Sequence, residues 1–361
     1  MKILRTLAVA TLFCCPRTAT ALPPRYSVVD LGPAPNRDVD GAKDINASGQ
    51  VALIRDVQAY VWTNGVLAPL TGASANNGPL AINDIGDFVY GDHSRAVLWR
   101  NGIEKDLGTL EASTAYTFPF DVNNHSSVVG YTYLYSNNHQ HGFIWENGIM
   151  RDIGAPVPTG VDVYAFAIND SGQVVGAAND HAYIWENEHF TDLGALSGLP
   201  SSQAEDVNQY GQAVGYSADW NALLQHPTLW KNGAIVDLGF LPGMTYGLAN
   251  SISAQTQVVG KIAASYFAMD TLSHAFIWES GQIRDLNDMI GPNSGWIFRD
   301  AAAVNDSGVI VGWGYLANDR HSFMLTPLPE PTSFSLLAFG ILLPFCRPRP
   351  QSLLRRNSPG Q

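Results

Sequence analysis

The feature that most constrains this chain of 361 residues is an internal repeat. A segment of the type Ile-Asn-Asp-x-Gly-x-Val-Val-Gly, clearest at Ala167–Gly176, occurs seven times at spacings of 37 to 52 residues. Its other copies contain Ile45-Asn46, Ile82-Asn83, Val122-Asn123, Val207-Asn208, Ile252-Ser253 and Val304-Asn305. The fold is therefore expected to be one structural unit used repeatedly.

Two further segments repeat in the same order. The first, His274-Ala275-Phe276-Ile277-Trp278, recurs in segments ending at Trp62, Trp99, Trp145, Trp185, Trp230 and Leu325. The second, Asp192-Leu193-Gly194, recurs around Leu31, Leu70, Leu107, Ile153, Leu238 and Leu286. Each segment is a short apolar run bounded by turn residues, which predicts a strand, and Asn-Gly after Trp145 and Trp230 predicts hairpins. Each unit thus contains four antiparallel strands.

The order of the segments predicts how the units assemble. The body begins with a lone copy of the third segment, Tyr26–Gly32, and ends at Leu325 with the first two segments only. The N-terminal strand can therefore supply the strand that the last unit lacks. Four strands in about 40 to 45 residues are typical of a propeller blade. We predict an all-β fold, a seven-bladed β-propeller of four-stranded antiparallel blades closed by the N-terminal strand; a linear β-solenoid is the alternative.

The paired segments resemble the extracellular HAF-repeat family over roughly residues 26–325. That resemblance implies export and a repeat fold, and it brings no established activity. The first unit matches least, because Ala59–Trp62 lacks the histidine and Val51–Leu53 lacks the glycine.

The N-terminal segment predicts export. Lys2 and Arg5 precede the apolar run 7–15, and Ala19-Thr20-Ala21 places small residues where a signal peptidase reads. We therefore predict a signal peptide over residues 1–21, cleaved after Ala21.

The C-terminal segment resembles the PEP-CTERM sorting signal of Gram-negative bacteria. Pro329-Glu330-Pro331 is followed by 15 residues, Thr332–Cys346, and then by arginines. The resemblance implies transient anchoring in the membrane by a transmembrane segment and processing by an exosortase; a plain membrane anchor is the alternative. The predicted organisation is a signal peptide (1–21), a propeller (22–328) and a sorting segment (329–361), in a protein located at the cell envelope or outside the cell.

The net charge of the body argues against nucleic acid as a partner, and the positions of the cysteines argue against disulfides in the body. Residues 22–328 contain 13 lysines and arginines against 31 aspartates and glutamates, a formal charge of −18, which would repel nucleic acid. Cys14, Cys15 and Cys346 all lie in the end segments, so the body is expected to be stable without disulfides.

The repeated polar and aromatic residues favour structural roles. Six tryptophans share one repeat position, which predicts packing between units, although a ring of sugar-stacking platforms is the alternative. No second ligand recurs at metal-binding spacing beside the recurring histidines, and the turn acids offer too few oxygens for calcium; we predict no metal and no cofactor. These candidate residues are His141, His181, His274 and His321, and Asp84, Asp170 and Asp306.

Variable links carry the candidate binding residues. The predicted topology places the links of variable length on one face, and four of them are aromatic: Tyr131, Tyr133 and Tyr135; Tyr216 and Trp220; Tyr266 and Phe267; Trp313 and Tyr315. Such residues suit a polysaccharide or a surface protein, whereas loops packing on one another are the alternative. No catalytic motif is present. We predict a non-enzymatic binding or structural protein.

The enzymatic alternative is a glycan hydrolase or lyase. It would need carboxylates that meet at the mouth of a central channel. Among the loop acids, Asp219, Asp270 and Asp319 are the candidates.

Overall fold

Twenty-eight strands and two short 3₁₀ helices make up the described part of the chain. The computed structural model describes residues 25–36, 40–74, 80–111, 116–154, 160–269 and 272–329. The predicted signal peptide with its cleavage site after Ala21, the apolar C-terminal run, Glu330, Pro331 and Asp270 lie outside these residues. Pro329 is described, and it is exposed.

The strands form antiparallel sheets whose order follows the chain. The first two consecutive sheets contain β2 Gly41–Ile45, β3 Val51–Arg55, β4 Gln58–Thr63 and β5 Val66–Ser74, and then β6 Leu80–Ile82, β7 Phe88–Asp92, β8 Arg95–Arg100 and β9 Ile103–Asp106. The next two contain β10 Tyr116–Val122, β11 Val128–Leu134, β12 His139–Glu146 and β13 Ile149–Asp152, and then β14 Val163–Ile168, β15 Val174–Ala178, β16 His181–Glu186 and β17 His189–Asp192.

An eight-stranded sheet follows, in which two antiparallel groups of four are joined by one parallel bridge between Gln225 and Tyr246. Its strands are β18 Ser201–Val207, β19 Ala213–Asp219, β20 Leu224–Lys231, β21 Ala234–Asp237, β22 Tyr246–Ile252, β23 Val258–Ala263, β24 His274–Glu279 and β25 Gln282–Asp285. The 3₁₀ helices span Tyr266–Ala268 and Leu286–Met289.

The last sheet joins the two ends of the described chain. It contains β26 Trp296–Val304, β27 Ile310–Leu316 and β28 Asp319–Pro327, and its fourth strand is β1 Tyr26–Pro33. Strand β1 pairs antiparallel with β28 from Tyr26↔Pro327 to Pro33↔His321. All described strands lie in one unit, which ends at Pro327.

The recurring tryptophans pack where neighbouring sheets meet. Trp145, Trp185 and Trp230 are 4 to 6% exposed. Trp185, for example, belongs to a cluster that also contains Val129 of β11 and Val163 of β14. This is the packing role that the sequence predicts for these residues. Within the described residues, no helix is long and apolar enough to span a membrane.

Candidate functional site

Two faces must be distinguished. The turn face is the end of the sheets that carries the Asn-x-x-Gly turns and the turns after the recurring tryptophans. The loop face is the opposite end, where the second strand of each sheet is linked to the third and where the chain crosses to the next sheet. The first strands of the sheets line a central cavity of about 270 Å³.

Recurring asparagines tie the turn face together. Each buried asparagine donates its side-chain amide to a backbone oxygen in the turn of the next repeat, at 2.8 to 3.1 Å. These pairs are Asn46–Asn83, Asn83–Asn123, Asn123–Asn169, Asn169–Asn208, Asn208–Ser253 and Asn305–Asn46. The last pair joins the sheet that contains β1 and β28 to the sheet β2–β5.

The turn acids have a similar role. Asp84, Asp170 and Asp306 each accept a backbone N–H from a neighbouring turn, at 2.7 to 2.8 Å. Their carboxylates therefore bind the protein's own backbone. Within the described part of the chain, no group of three or more His, Cys, Asp or Glu lies together as a metal site would require.

The recurring histidines bind a partner that sequence reasoning missed. Five histidines contact the aspartate of the Asp-Leu-Gly strand through Nδ1, at 2.6 to 3.0 Å. The pairs are His141–Asp152, His181–Asp192, His226–Asp237, His274–Asp285 and His321–Asp30. In four pairs the aspartate follows eleven residues after the histidine, a spacing visible in the sequence. The fifth uses Asp30 of β1.

The structure divides the predicted loop-face aromatics into separate groups. Tyr131 and Tyr133 are half-buried in a run of touching rings that includes Tyr116, Phe118 and Phe120. Four others are exposed by 46 to 81%: Tyr135, Trp220, Tyr266 and Phe267. Trp313 packs against Tyr315, and the Arg320 guanidinium lies 4.2 Å from its ring centre. The nine residues therefore do not form one site.

One pocket on the loop face combines two of these aromatics with polar groups. This aromatic pocket, about 350 Å³, is walled by Tyr164, Tyr216 and Trp220. Its polar lining includes Asp162, Asn179, Asp180 and Gln203. The Tyr216 and Trp220 rings meet edge to face at 5.7 Å, and the Tyr216 hydroxyl lies 3.0 Å from Gln203 Oε1. The walls are therefore held in place by neighbouring side chains.

A small residue opens the aromatic pocket. Ala177 pairs with Tyr164 in its sheet. The same register position is occupied in the other repeats by Ile54, Tyr131, Tyr216, Lys261 and Trp313, all larger than alanine, and by Gly91. Tyr131 shows how far a large side chain reaches from that position, because its ring contacts Tyr164 of the next sheet at 5.1 Å. A methyl group cannot fill that space, so the groove beside Ala177 remains open.

Carboxyl groups line the central cavity. Asp44, Asp121 and Asp206 each accept a backbone N–H from the first strand of the following repeat. The donors are Ile82, Ile168 and Ile252, at 2.8 to 2.9 Å. Burial raises the pKa of Asp44 to about 6, that of Asp121 to about 7 and that of Glu205 to about 6, and it also raises the pKa of Asp206. Sequence reasoning missed these acids, although an aspartate precedes the Ile-Asn pair in three alternate units.

The loop acids proposed for catalysis lie elsewhere. Asp219 accepts the backbone N–H groups of Asn221 and Ala222 within its own loop. Asp319 is exposed at the start of β28. Neither residue lines the central cavity or the aromatic pocket.

The cavity carboxyls predict an unusual pH dependence. Because the pKa values of Asp44 and Asp121 are raised on folding, the native state binds more protons than the unfolded state between about pH 4 and pH 7, so their contribution to stability falls as pH rises. The double substitution Asp44→Asn and Asp121→Asn should reduce the loss of unfolding free energy between pH 5 and pH 8 by about 4 kcal/mol. Urea denaturation at both pH values measures this, and Asp319→Asn controls for net charge. An unchanged loss in the double variant would contradict the assignment.

Comparison with known proteins identifies the fold and no family. No family model matches the chain, and no curated protein matches it. Virginiamycin B lyase from Staphylococcus aureus is similar in structure, with a TM-score of 0.53 at 10% identity over 84% of this chain and 100% of that one. A chain of a mitotic checkpoint complex gives a TM-score of 0.50 at 13% identity over 91% and 99%.

A third similar structure is the β-propeller domain of the Trilobed protease from Pyrococcus furiosus, with a TM-score of 0.45 at 12% identity over 70% of this chain and 83% of that one. At sequence identities this low, the similarity shows a shared fold alone. The chain is an all-β protein built mainly of four-stranded antiparallel sheets, and it shares the fold of virginiamycin B lyase.

Proposed function

We propose that this chain is an exported seven-bladed β-propeller, closed by β1, that binds a polysaccharide through its loop face without catalysing a reaction. The closed ring is supported by three contacts at the chain ends. Strand β1 pairs with β28, Asp30 of β1 contacts His321 as the other outer-strand aspartates contact their histidines, and Asn305 donates to Asn46 of the sheet β2–β5. The parallel bridge at Gln225 then joins two blades whose other pairings are antiparallel.

The aromatic pocket supports sugar binding. Sugar rings present apolar C–H faces and a rim of hydroxyls, so a suitable site combines aromatic walls with a few polar groups that fix orientation. Trp220 and Tyr216 supply such walls, and the carboxylates and amides of Asp162, Asp180 and Asn179 can accept or donate to hydroxyls. The single observation that carries the proposal is Ala177, which leaves open a groove that large residues occupy at the same position in other sheets.

Binding is favoured over catalysis because the cavity aspartates are already hydrogen-bonded to the protein backbone. In Asp44, Asp121 and Asp206, one carboxylate oxygen accepts from a backbone amide of the next repeat and the other accepts from the following residue of the same strand. Groups held in this way stabilise the assembly of sheets. The observation that favours the enzymatic alternative, a glycan hydrolase or lyase, is Glu205, whose carboxyl accepts from the Gln203 side chain and whose raised pKa suits a general acid.

We propose that this function is carried out outside the cell. Export by the signal peptide, transient anchoring by the sorting segment and processing by an exosortase would leave the propeller at the envelope or in the extracellular matrix. A surface protein is the alternative ligand for the loop face.

The Ala177→Trp variant tests the binding site. A glycan array with the full-length chain should identify oligosaccharides that bind, and Ala177→Trp should weaken that binding at least about tenfold by filling the groove. Trp220→Ala should also weaken it, whereas Tyr135→Ala, an exposed aromatic outside the pocket, is the matched control. Oligosaccharide binding that survives Ala177→Trp would contradict the site. Release of reducing ends from a bound glycan, lost in Glu205→Gln, would instead favour the enzyme.

A further inference from the structure

A second pocket on the loop face gathers positive charge in an acidic protein. It has a volume of about 430 Å³ and is lined by Lys43, Lys261, Arg320, Asp40, Asp300 and Trp313, among others. Three of the 13 lysines and arginines in residues 22–328 therefore meet here, although that region has a formal charge of −18. We call this site the basic pocket.

Two of the three cations are fixed by the protein itself. Lys261 forms an ion pair with Asp300 at 3.2 Å, and Asp300 also accepts from the Asn250 side chain at 2.7 Å. Arg320 donates to the carbonyl oxygens of Ala34, Asn36 and Asp40, each at 3.0 Å. These cations contribute positive potential and a rigid frame.

The third cation has no such contact. Over the ranges that the structure describes, the Lys43 ammonium forms no hydrogen bond and no ion pair, yet the side chain is half-buried and lines both the basic pocket and the central cavity. Burial and the nearby Arg320 guanidinium lower the pKa of Lys43. A half-buried ammonium beside two other cations would be stabilised by an anion.

The charge of the basic pocket selects the kind of anion. Three cations and two carboxylates leave a formal charge of +1. A single monoanion neutralises that charge, whereas a doubly charged phosphate would exceed it and approach Asp40 and Asp300. We therefore infer that the basic pocket binds the carboxylate of an acidic sugar, with Lys43 as the group that contacts it. This rests on the proposed function and narrows its ligand to an acidic polysaccharide.

A matched pair of ligands tests this inference on the full-length chain. Tetragalacturonic acid and its methyl ester have the same rings and differ in charge, so calorimetry with both isolates the contribution of the carboxylate. We expect the free acid to bind at least about tenfold more tightly than the ester, with the difference shrinking as salt is raised. Lys43→Met should abolish that difference and Lys43→Arg should retain it, whereas Lys105→Met, a lysine of the turn face, should leave it unchanged.

Either of the following results would overturn the inference. Equal affinity for acid and ester, or failure to bind either, would exclude an acidic sugar. Inorganic phosphate that binds more tightly than monomeric galacturonate, and does so through Lys43, would assign the pocket to phosphate instead. Lys43→Gln provides a second variant should Lys43→Met not fold. Failure of the proposed function gives a different result in the glycan array: no neutral oligosaccharide would bind in a way that depends on Ala177. Failure of the present inference would affect only the difference between the acid and its ester.

Discussion

Deleting residues 26–33 from the full-length chain should lower the melting temperature by more than about 10 °C or abolish the cooperative transition. Strand β1 supplies the fourth strand of the last sheet and pairs with β28 along its whole length. Its Tyr26 and Leu31 side chains are each 4% exposed, and burial of such side chains is worth about 1.5 to 3 kcal/mol each. The deletion would also leave β28 as an unpaired edge.

The same strand also reaches the following sheet. The Arg55 guanidinium donates to the carbonyl oxygens of Leu31 and Pro33, at 2.9 and 3.1 Å. Loss of β1 therefore removes contacts on both sides of the junction between the chain ends. Scanning calorimetry measures the effect, and a synthetic peptide of residues 25–34 added to the deleted chain should restore part of the stability. A deleted chain that melts like the wild type would contradict this role of β1.

Gly176→Ala should destabilise the fold by about 3 kcal/mol or more. The first strand of this sheet has a register shift between Ala165 and Ala167, and its Tyr164 carbonyl projects at the glycine. A Cβ atom on Gly176 would lie 1.8 Å from that oxygen. Because the obstacle is backbone and not a mobile side chain, the sheet itself would have to move, and overpacking of this kind costs at least 1 to 3 kcal/mol.

Other glycines provide the comparison for Gly176→Ala. Gly130, Gly215, Gly260 and Gly312 occupy the same position in other sheets, and a Cβ atom on each would lie 2.0 to 2.2 Å from a carbonyl oxygen. Substituting any of them should have a similar effect. Gly291 is the control, because a Cβ atom there meets nothing within 4 Å and Gly291→Ala should be nearly neutral. Equal melting temperatures for Gly176→Ala and Gly291→Ala would refute the explanation.

Local sequence patterns predicted the strands well because each repeat carries its own turn signals. The Asn-Asp-x-Gly and Trp-x-Asn-Gly segments identify which strands pair within a unit, and the unpaired segment at Tyr26 indicates which strand completes the last sheet. Leu53 and Tyr90 stand where the other five copies have glycine, and both are buried in the core.

The candidate site was harder to predict because it depends on contacts between units. An alanine in a strand gives no sign of a binding site in the sequence. The strand register shows that Ala177 occupies the position at which other repeats have the large side chains of Tyr131 and Tyr216. Lys43 and Lys261 are far apart in the sequence, so their convergence required the fold. The cavity aspartates were missed for the same reason, because their partners lie in the following repeat.

The central claim, that the two ends of the body share one sheet, can be tested by a cysteine pair. Ser27 and Thr326 are direct neighbours on β1 and β28, and directly opposed residues in antiparallel strands lie close enough for a disulfide. In a full-length chain with Cys14, Cys15 and Cys346 replaced by serine, Ser27→Cys with Thr326→Cys should form an intramolecular disulfide under mild oxidation, detected by mass spectrometry. Ser27→Cys with Thr63→Cys, on different sheets, should not. Failure of the first pair to cross-link in the folded protein, or equal cross-linking of both pairs, would contradict the claim.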